Sequence, residues 1–271
     1  MALRLCFYKL YLVCLTFSCA HAFAEDELEK KWEFGVGVGS IYGPDYRGSS
    51  EYRNYTAPIP YVIYRGKYLR SDREGIRGQF LTFDRIQFTF SANASVTPHT
   101  AENKLRQGMP ELGSTIELGP SLNIQLTGDE VQHGWQFQLP WRAVYAVGGK
   151  TNQFVGSIFQ PQFIFRDKWD QWTFSYRMGL TFADQQYHDY YYSVAAPYAT
   201  QDRPEYSAHG GYSGWNSQAS FYRKLQVNNI DTRVAFFIGY DNLNSTPFSQ
   251  SPLLETYSVV HAGVAFIWVI K

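Results

Sequence analysis

Residues 171–182 read Gln171-Trp172-Thr173-Phe174-Ser175-Tyr176-Arg177-Met178-Gly179-Leu180-Thr181-Phe182, an apolar side chain at every second position with a polar or small one between. A period of two is the mark of an extended strand, whose successive side chains point to opposite faces. Ten residues at about 3.3 Å each span about 33 Å, and a tilt of about 40° projects this to about 25 Å, the height of the apolar band on an outer-membrane barrel. Aromatics stand at both ends of the row and aliphatics in its middle, the distribution that two membrane interfaces impose.

Other rows repeat the pattern. Ile86, Phe88, Phe90, Ala92, Ala94 and Val96 alternate with Gln87, Thr89, Ser91, Asn93, Ser95 and Thr97. Ile116, Leu118, Leu122, Ile124 and Leu126 alternate with Glu117, Gly119, Ser121, Asn123 and Gln125. The polar faces carry Ser, Thr, Asn, Gln and Gly. A soluble sandwich would present many Lys and Glu there, whereas short uncharged side chains suit a crowded hydrated lumen.

At the N-terminus, Arg4 and Lys9 precede the apolar run 10–17, and Ala22-Phe23-Ala24 places small residues where a signal peptidase reads, just ahead of Glu25-Asp26-Glu27. Residues 1–24 are therefore expected to be a cleaved signal peptide, leaving residues 25–271 as one barrel domain. The apolar run is too short for a membrane-spanning helix of about 20 residues. Lipidation at Cys19 would need a better lead-in than Thr16-Phe17-Ser18. All three cysteines, Cys6, Cys14 and Cys19, lie in this segment, so the mature chain has neither a disulfide framework nor a thiolate metal site. The chain is formally neutral, with 24 basic against 24 acidic residues, and removing Arg4 and Lys9 tips it slightly acidic. No basic field exists to recruit nucleic acid.

Strands are expected at 32–42, 57–64, 68–71, 76–83, 86–97, 114–127, 131–147, 157–166, 170–183, 215–225, 230–241 and 257–271, about twelve in all. Short connections alternate with long ones, as in a transmembrane antiparallel β-barrel with tight periplasmic turns, longer external loops and both termini periplasmic. The turns fall at residues 65–67, 84–85, 128–130, 167–169 and 227–229. Pro140 and Pro161 inside expected strands each remove a ladder donor and call for a bulge or a strand end. The last strand presents Val260, Ala262, Val264, Phe266, Trp268 and Ile270 outward. Lys271 stands where barrels commonly end on an aromatic.

Several segments together resemble the MipA/OmpV family of Gram-negative outer-membrane proteins: Tyr42-Gly43-Pro44-Asp45-Tyr46-Arg47-Gly48-Ser49, Pro58-Ile59-Pro60-Tyr61, Glu111-Leu112-Gly113 with Glu117-Leu118-Gly119-Pro120, His188-Asp189-Tyr190-Tyr191-Tyr192-Ser193-Val194, Gly210-Gly211-Tyr212 and Glu255-Thr256-Tyr257-Ser258. The resemblance implies a barrel in contact with outer-membrane lipid that acts as a scaffold for a periplasmic lytic transglycosylase and a murein synthase, without catalysis of its own. Other members of the family are porin-like, so a channel for small solutes is the alternative.

An outer-membrane lipid hydrolase is the least favoured reading. It needs Ser and His within reach of each other and a third group orienting the imidazole. His99, His133, His188, His209 and His261 sit in no Gly-x-Ser-x-Gly or equivalent local motif, so no catalytic, cofactor-binding or metal residue is assigned. Asp184, Asp189, Asp202 and Glu205 share one long loop but match no calcium-loop spacing and are expected to be solvated. Tyr187, Tyr190, Tyr191, Tyr192, Tyr198, Tyr206 and Tyr212 could stack on sugars, but are expected to mark the membrane rim. Glu33, Glu117 and Arg177 on the inner face either plug the lumen by ion pairing or line a pore.

Overall fold

A computed structural model describes residues 32–64, 69–72, 75–95, 100–128, 133–147 and 152–270. The cleavage site, His99, the turn at 65–67 and residues 25–31 lie outside these. The strands are β1 (Trp32–Pro44), β2 (Tyr52–Tyr64), β3 (Leu69–Asp72), β4 (Gly75–Phe83), β5 (Ile86–Ser95), β6 (Ser114–Gln125), β7 (Gly134–Val147), β8 (Gln153–Phe159), β9 (Gln162–Trp169), β10 (Trp172–Ala183), β11 (Gly211–Val227), β12 (Ile230–Asn242) and β13 (Ser258–Ile270). All thirteen join one antiparallel sheet, in which, among the described residues, strands consecutive in sequence pair with each other except β2 with β3 and β8 with β9. The first strand pairs with the last, from Phe34 opposite Ile270 to Tyr42 opposite Ala262. β8 and β9 occupy successive halves of one position, both between β7 and β10, so the wall has twelve staves. β2 and β3, on either side of residues 65–68, are the two ends of this hydrogen-bonded order and lie in contact. The fold is an up-and-down transmembrane β-barrel.

The alternation sorts side chains as its period requires. Met178 and Leu180 are 43% and 44% exposed on the outside, whereas Thr181 between Leu180 and Phe182 is 2% exposed and faces in. Aromatics form two bands on the outer surface. Near the short turns, Trp169 stacks on Phe174 with centroids 4.9 Å apart, Phe174 meets Phe221 at 5.1 Å, and Phe221 meets Phe236 at 5.3 Å. Toward the long loops, Phe159, Phe182 and Tyr212 make a second row, with Trp215 beside Tyr240 and Tyr145 beside Phe154. Two girdles flanking an aliphatic belt match the two interfaces of a bilayer. No helix of the described residues is long and apolar enough to cross a membrane.

Inside, β1 presents Gly35, Gly37 and Gly39. A Cβ at Gly37 would stand 2.7 Å from the Ile267 side chain, and one at Gly39 2.4 Å from that of Ile59, so this bare stave gives lumen space to its neighbours. The prolines fall where the wall changes partner. β7 pairs with β9 through Gln138 and with β8 from Trp141, and Pro140 lies in the gap. Pro161 separates β8 from β9. The carbonyls there remain satisfied: Gln160 N–H donates to Pro140 O (3.1 Å) and Leu180 N–H to Pro161 O (3.0 Å).

Several expectations change. β2 and β11 begin at Tyr52 and Gly211, five and four residues before the expected starts. The strand expected at 157–166 starts earlier and breaks at Pro161. The tight turn expected at 167–169 is Asp170-Gln171 instead, with Asp170 at φ +56, a conformation that Asp tolerates and a two-residue hairpin favours. The long aromatic loop contains a helix, α1 (Gln185–Tyr192), which begins where the Asp184 side chain accepts Tyr187 N–H (2.8 Å).

Candidate functional site

The inner wall carries paired charges on staves that are adjacent or one apart. Arg142 Nε–H on β7 donates to Glu117 Oε2 on β6 (3.0 Å); Asn93 reaches the same carboxylate, and Arg142 also bonds Gln160. The two ionic side chains are 7% and 11% exposed. Nearer the short turns, Arg233 donates to Glu33 (2.9 Å), which also accepts the Tyr61 hydroxyl (2.9 Å). Mostly uncharged polar side chains, with Arg166 among them, line the rest of the inner face. Gln162 bonds Gln138, Gln138 bonds Gln136, Arg166 reaches Gln136, and Asn123 bonds Thr89. Of the two roles open to Glu33 and Glu117, the geometry gives them ion pairing. Arg177 occupies the inner face of β10, opposite Gln218.

The long loops fold over one mouth of the barrel and share an apolar core of Tyr46, Leu112, Tyr192, Ala208, Leu243 and Phe248. Tyr192 and Phe248 stack with centroids 3.8 Å apart and planes 5° from parallel. Polar bonds tie loop to loop. The Tyr46 hydroxyl donates to Leu253 O (2.7 Å), that of Tyr192 to Arg47 O (2.9 Å), and Ser251 Oγ to Tyr192 O (2.6 Å). Asn103, fully buried, donates to Asp45 and Ser49 (both 3.0 Å), while Arg53 pairs with Asp45 (2.9 Å) and with Glu102. Arg106 spans the cap, donating to Tyr191 O and Pro110 O over the face of Tyr46. Arg47 anchors the cap to the lumen by donating to Asp241 (3.0 Å), which also lies 3.5 Å from His261. A cleft of about 260 Å³ opens between residues 106–112 and α1, lined by Arg106, Leu112, Asp189, Tyr190 and Tyr198 among others.

The tyrosines expected at the membrane rim belong instead to this cap. Tyr190, Tyr191 and Tyr206 pack against the core, and Tyr192 is part of it. Tyr212 alone joins the outer girdle. Burial explains the difference, since a long loop that folds on itself needs its own apolar centre. It also pushes the Tyr187 phenol up to about 12 and those of Tyr191 and Tyr192 well above their ordinary value. The carboxylates expected to be solvated divide likewise. Asp184 caps α1 and accepts Ser157 N–H and Oγ–H (2.7 and 2.8 Å), Asp189 accepts Ser193 Oγ–H (2.6 Å), and only Asp202 and Glu205 are exposed. Gly156 lets α1 dock on β8: it holds φ +123, and a Cβ there would meet Asp184 at 2.3 Å.

The histidines are scattered. His133 sits at the short-turn end, 3.7 Å from Asp167, His261 is in the lumen, and His209 is exposed. His188 is wholly buried in the cap, and burial holds its imidazole below the ordinary value. The arginines that knit the cap were not anticipated. Many of their partners, such as Tyr191 O for Arg106 and Asp241 for Arg47, are far away in sequence and leave no local motif.

With wall, lumen and cap in place, the chain can be set beside known proteins. A family model described as MltA-interacting protein MipA matches residues 36–270, nearly the whole described barrel. The chain belongs to the MltA-interacting protein family. Its fold is also similar to solved barrels at low identity. The NanC porin is 8% identical, with 88% of this chain and 98% of that one covered and a TM-score of 0.34. The CymD monoaromatic hydrocarbon channel is 9% identical, with 89% of each chain covered and a TM-score of 0.37. The outer-membrane channel DcaP of Acinetobacter baumannii is 10% identical, with 88% and 96% covered and a TM-score of 0.33. No curated protein sequence matches the chain.

Proposed function

We propose that this barrel acts by binding and turns over no substrate: it is an outer-membrane scaffold that holds a lytic transglycosylase, and through it a murein synthase, at its short-turn rim, with both termini on the periplasmic side. The observation that carries the reading is the family match, whose description names interaction with MltA. The cored cap over one mouth supports a barrel that is closed at rest. A docking face at the short-turn rim is small. Tight turns such as Asp84-Arg85, Asp170-Gln171 and Asn228-Asn229 offer less than the roughly 800 Å² per partner of a standard interface, so the tail at 25–31 and residues 126–133 contribute to it.

The test is retention on the detergent-purified full chain. A lytic transglycosylase from cell extract should be held. Deleting residues 25–31, or replacing exposed Lys168 with Glu together with Arg85→Glu, should reduce retention, whereas Asp202→Lys on the cap should leave it unchanged. Failure to hold any murein enzyme, combined with steady single-channel conductance in planar bilayers, would move the assignment to the porin-like alternative.

A further inference from the structure

The cap contains an imidazole placed where a proton would be costly. His188 is 0% exposed on α1. Its Nδ1 lies 2.6 Å from the main-chain oxygen of His209. A carbonyl only accepts, so Nδ1 carries the hydrogen and Nε2 is left with the bare lone pair. Nε2 is buried with no hydrogen-bond partner among the described residues. The ring meets Phe248 edge to face at 4.6 Å, and Phe248 stacks on Tyr192. A second proton would therefore produce a buried cation whose new N–H has no acceptor, at the point where α1, the segment entering β11 and the 243–257 loop come together.

We propose that the loop cap is an acid-released gate, in which protonation of His188 loosens the 184–210 and 243–257 segments from each other and uncovers the mouth of the lumen. The charged surroundings are mixed, the two carboxylates of α1 and the His209 carbonyl favouring a second proton and Arg47 opposing it, and burial decides for the neutral ring. From α1 itself come Asp184, which is engaged by Tyr187 N–H and Ser157, and Asp189, which accepts Ser193 Oγ–H. The neighbouring phenols of Tyr187 and Tyr192 stay neutral. The 45–51 loop contributes the cation Arg47, which opposes a second positive charge, and the 243–257 loop contributes only the uncharged Phe248. The sign follows from the direction of the shift. Burial, the largest cause, lowers the folded value, so the cap is undisturbed above about pH 6.5 and loses stability as the pH falls below the ordinary imidazole value, down to the depressed one.

Hydrogen exchange on the full chain in detergent at pH 7.5 and pH 5.0, corrected for intrinsic rates, reads the gate while most carboxylates are still ionised. Opening of 184–210 and 243–257 should become more frequent at pH 5.0, by at most about 30-fold, the ceiling that one imidazole of ordinary value 6.5 sets at that pH, with β-strand protection unchanged. His188→Phe and His188→Leu, which keep the site apolar, should abolish the response, and His209→Ala, which keeps the carbonyl, should retain it. Equal protection at both pH values in the wild-type protein overturns the proposal whether or not the variants fold. So does an acid response that survives in His188→Phe, or one spread evenly over the strands. None of these outcomes bears on transglycosylase retention, which is read at neutral pH.

Discussion

Glu117 and Arg142 illustrate how little freedom a lumen side chain has. Both are nearly inaccessible, and each is the other's ionic partner at 3.0 Å. Replacing Glu117 with Ala strands the guanidinium among neutral groups. Refolding titrations into lipid should show a loss of about 3–5 kcal/mol, much of it recovered by adding Arg142→Met, since a buried pair is far costlier to break than to replace. The outer face obeys a different rule. Met178 lies in the aliphatic belt between the two girdles, so Met178→Arg should cost about 2–4 kcal/mol in the same titration. The contrasting inward change is best made at half-buried Ser175, with glutamine, a longer uncharged side chain beside Arg166 and Arg177. Thr181 also points inward, but it is 2% exposed and accepts from both Gln160 and Asn216 (3.2 Å each), so arginine there would overfill the interior. A penalty at Ser175 larger than at Met178 would mean that the register of β10 is off by one.

At the scale of elements, α1 depends on one carboxylate. Asp184 satisfies the Tyr187 amide at the helix start and bonds both the amide and the hydroxyl of Ser157 on β8, so it caps the helix and fastens it to the wall at once. Asp184→Ala should remove about 1–2 kcal/mol of local stability and make residues 184–210 the first site of protease cleavage, while strand content by circular dichroism stays constant. What could be read from sequence follows a physical divide. A strand in a bilayer wall is governed by a period of two and two solvents, and both are written in every segment, so β5, β6, β10, β12 and β13 fall within a few residues of where alternation puts them. The break at Pro161 was visible as a missing donor, though not its consequence, the hand-over of β7 from β9 to β8. The cap was not legible. Tyr187, His188, Tyr191 and Tyr192 do repeat at the three-to-four spacing of a short helix after a capping Asp, but in a loop crowded with aromatics that period carries little weight. Nothing local pairs Asn103 with Asp45, or Tyr46 with Leu253.

For the whole molecule, the arrangement separates two ends with different tasks. One carries the cored cap and its buried imidazole; the other carries tight turns on which a docked enzyme would bear. The proposals for the two ends are independent, so a barrel that holds its transglycosylase while its cap ignores acid, or the reverse, would locate the error at one end alone. The pairing of β1 with β13 has a further consequence, for assembly. Phe34 must find Ile270, nearly the whole chain away, and until it does both flanking strands offer unpaired donors and acceptors to any neighbour. Contacts of such long sequence separation form slowly, because their loop entropy must be lost before the contact gives anything back. The barrel therefore cannot close strand by strand as the polypeptide emerges. The finished cylinder is a post-translational product, and during the interval before closure the chain must be held apart from its own copies.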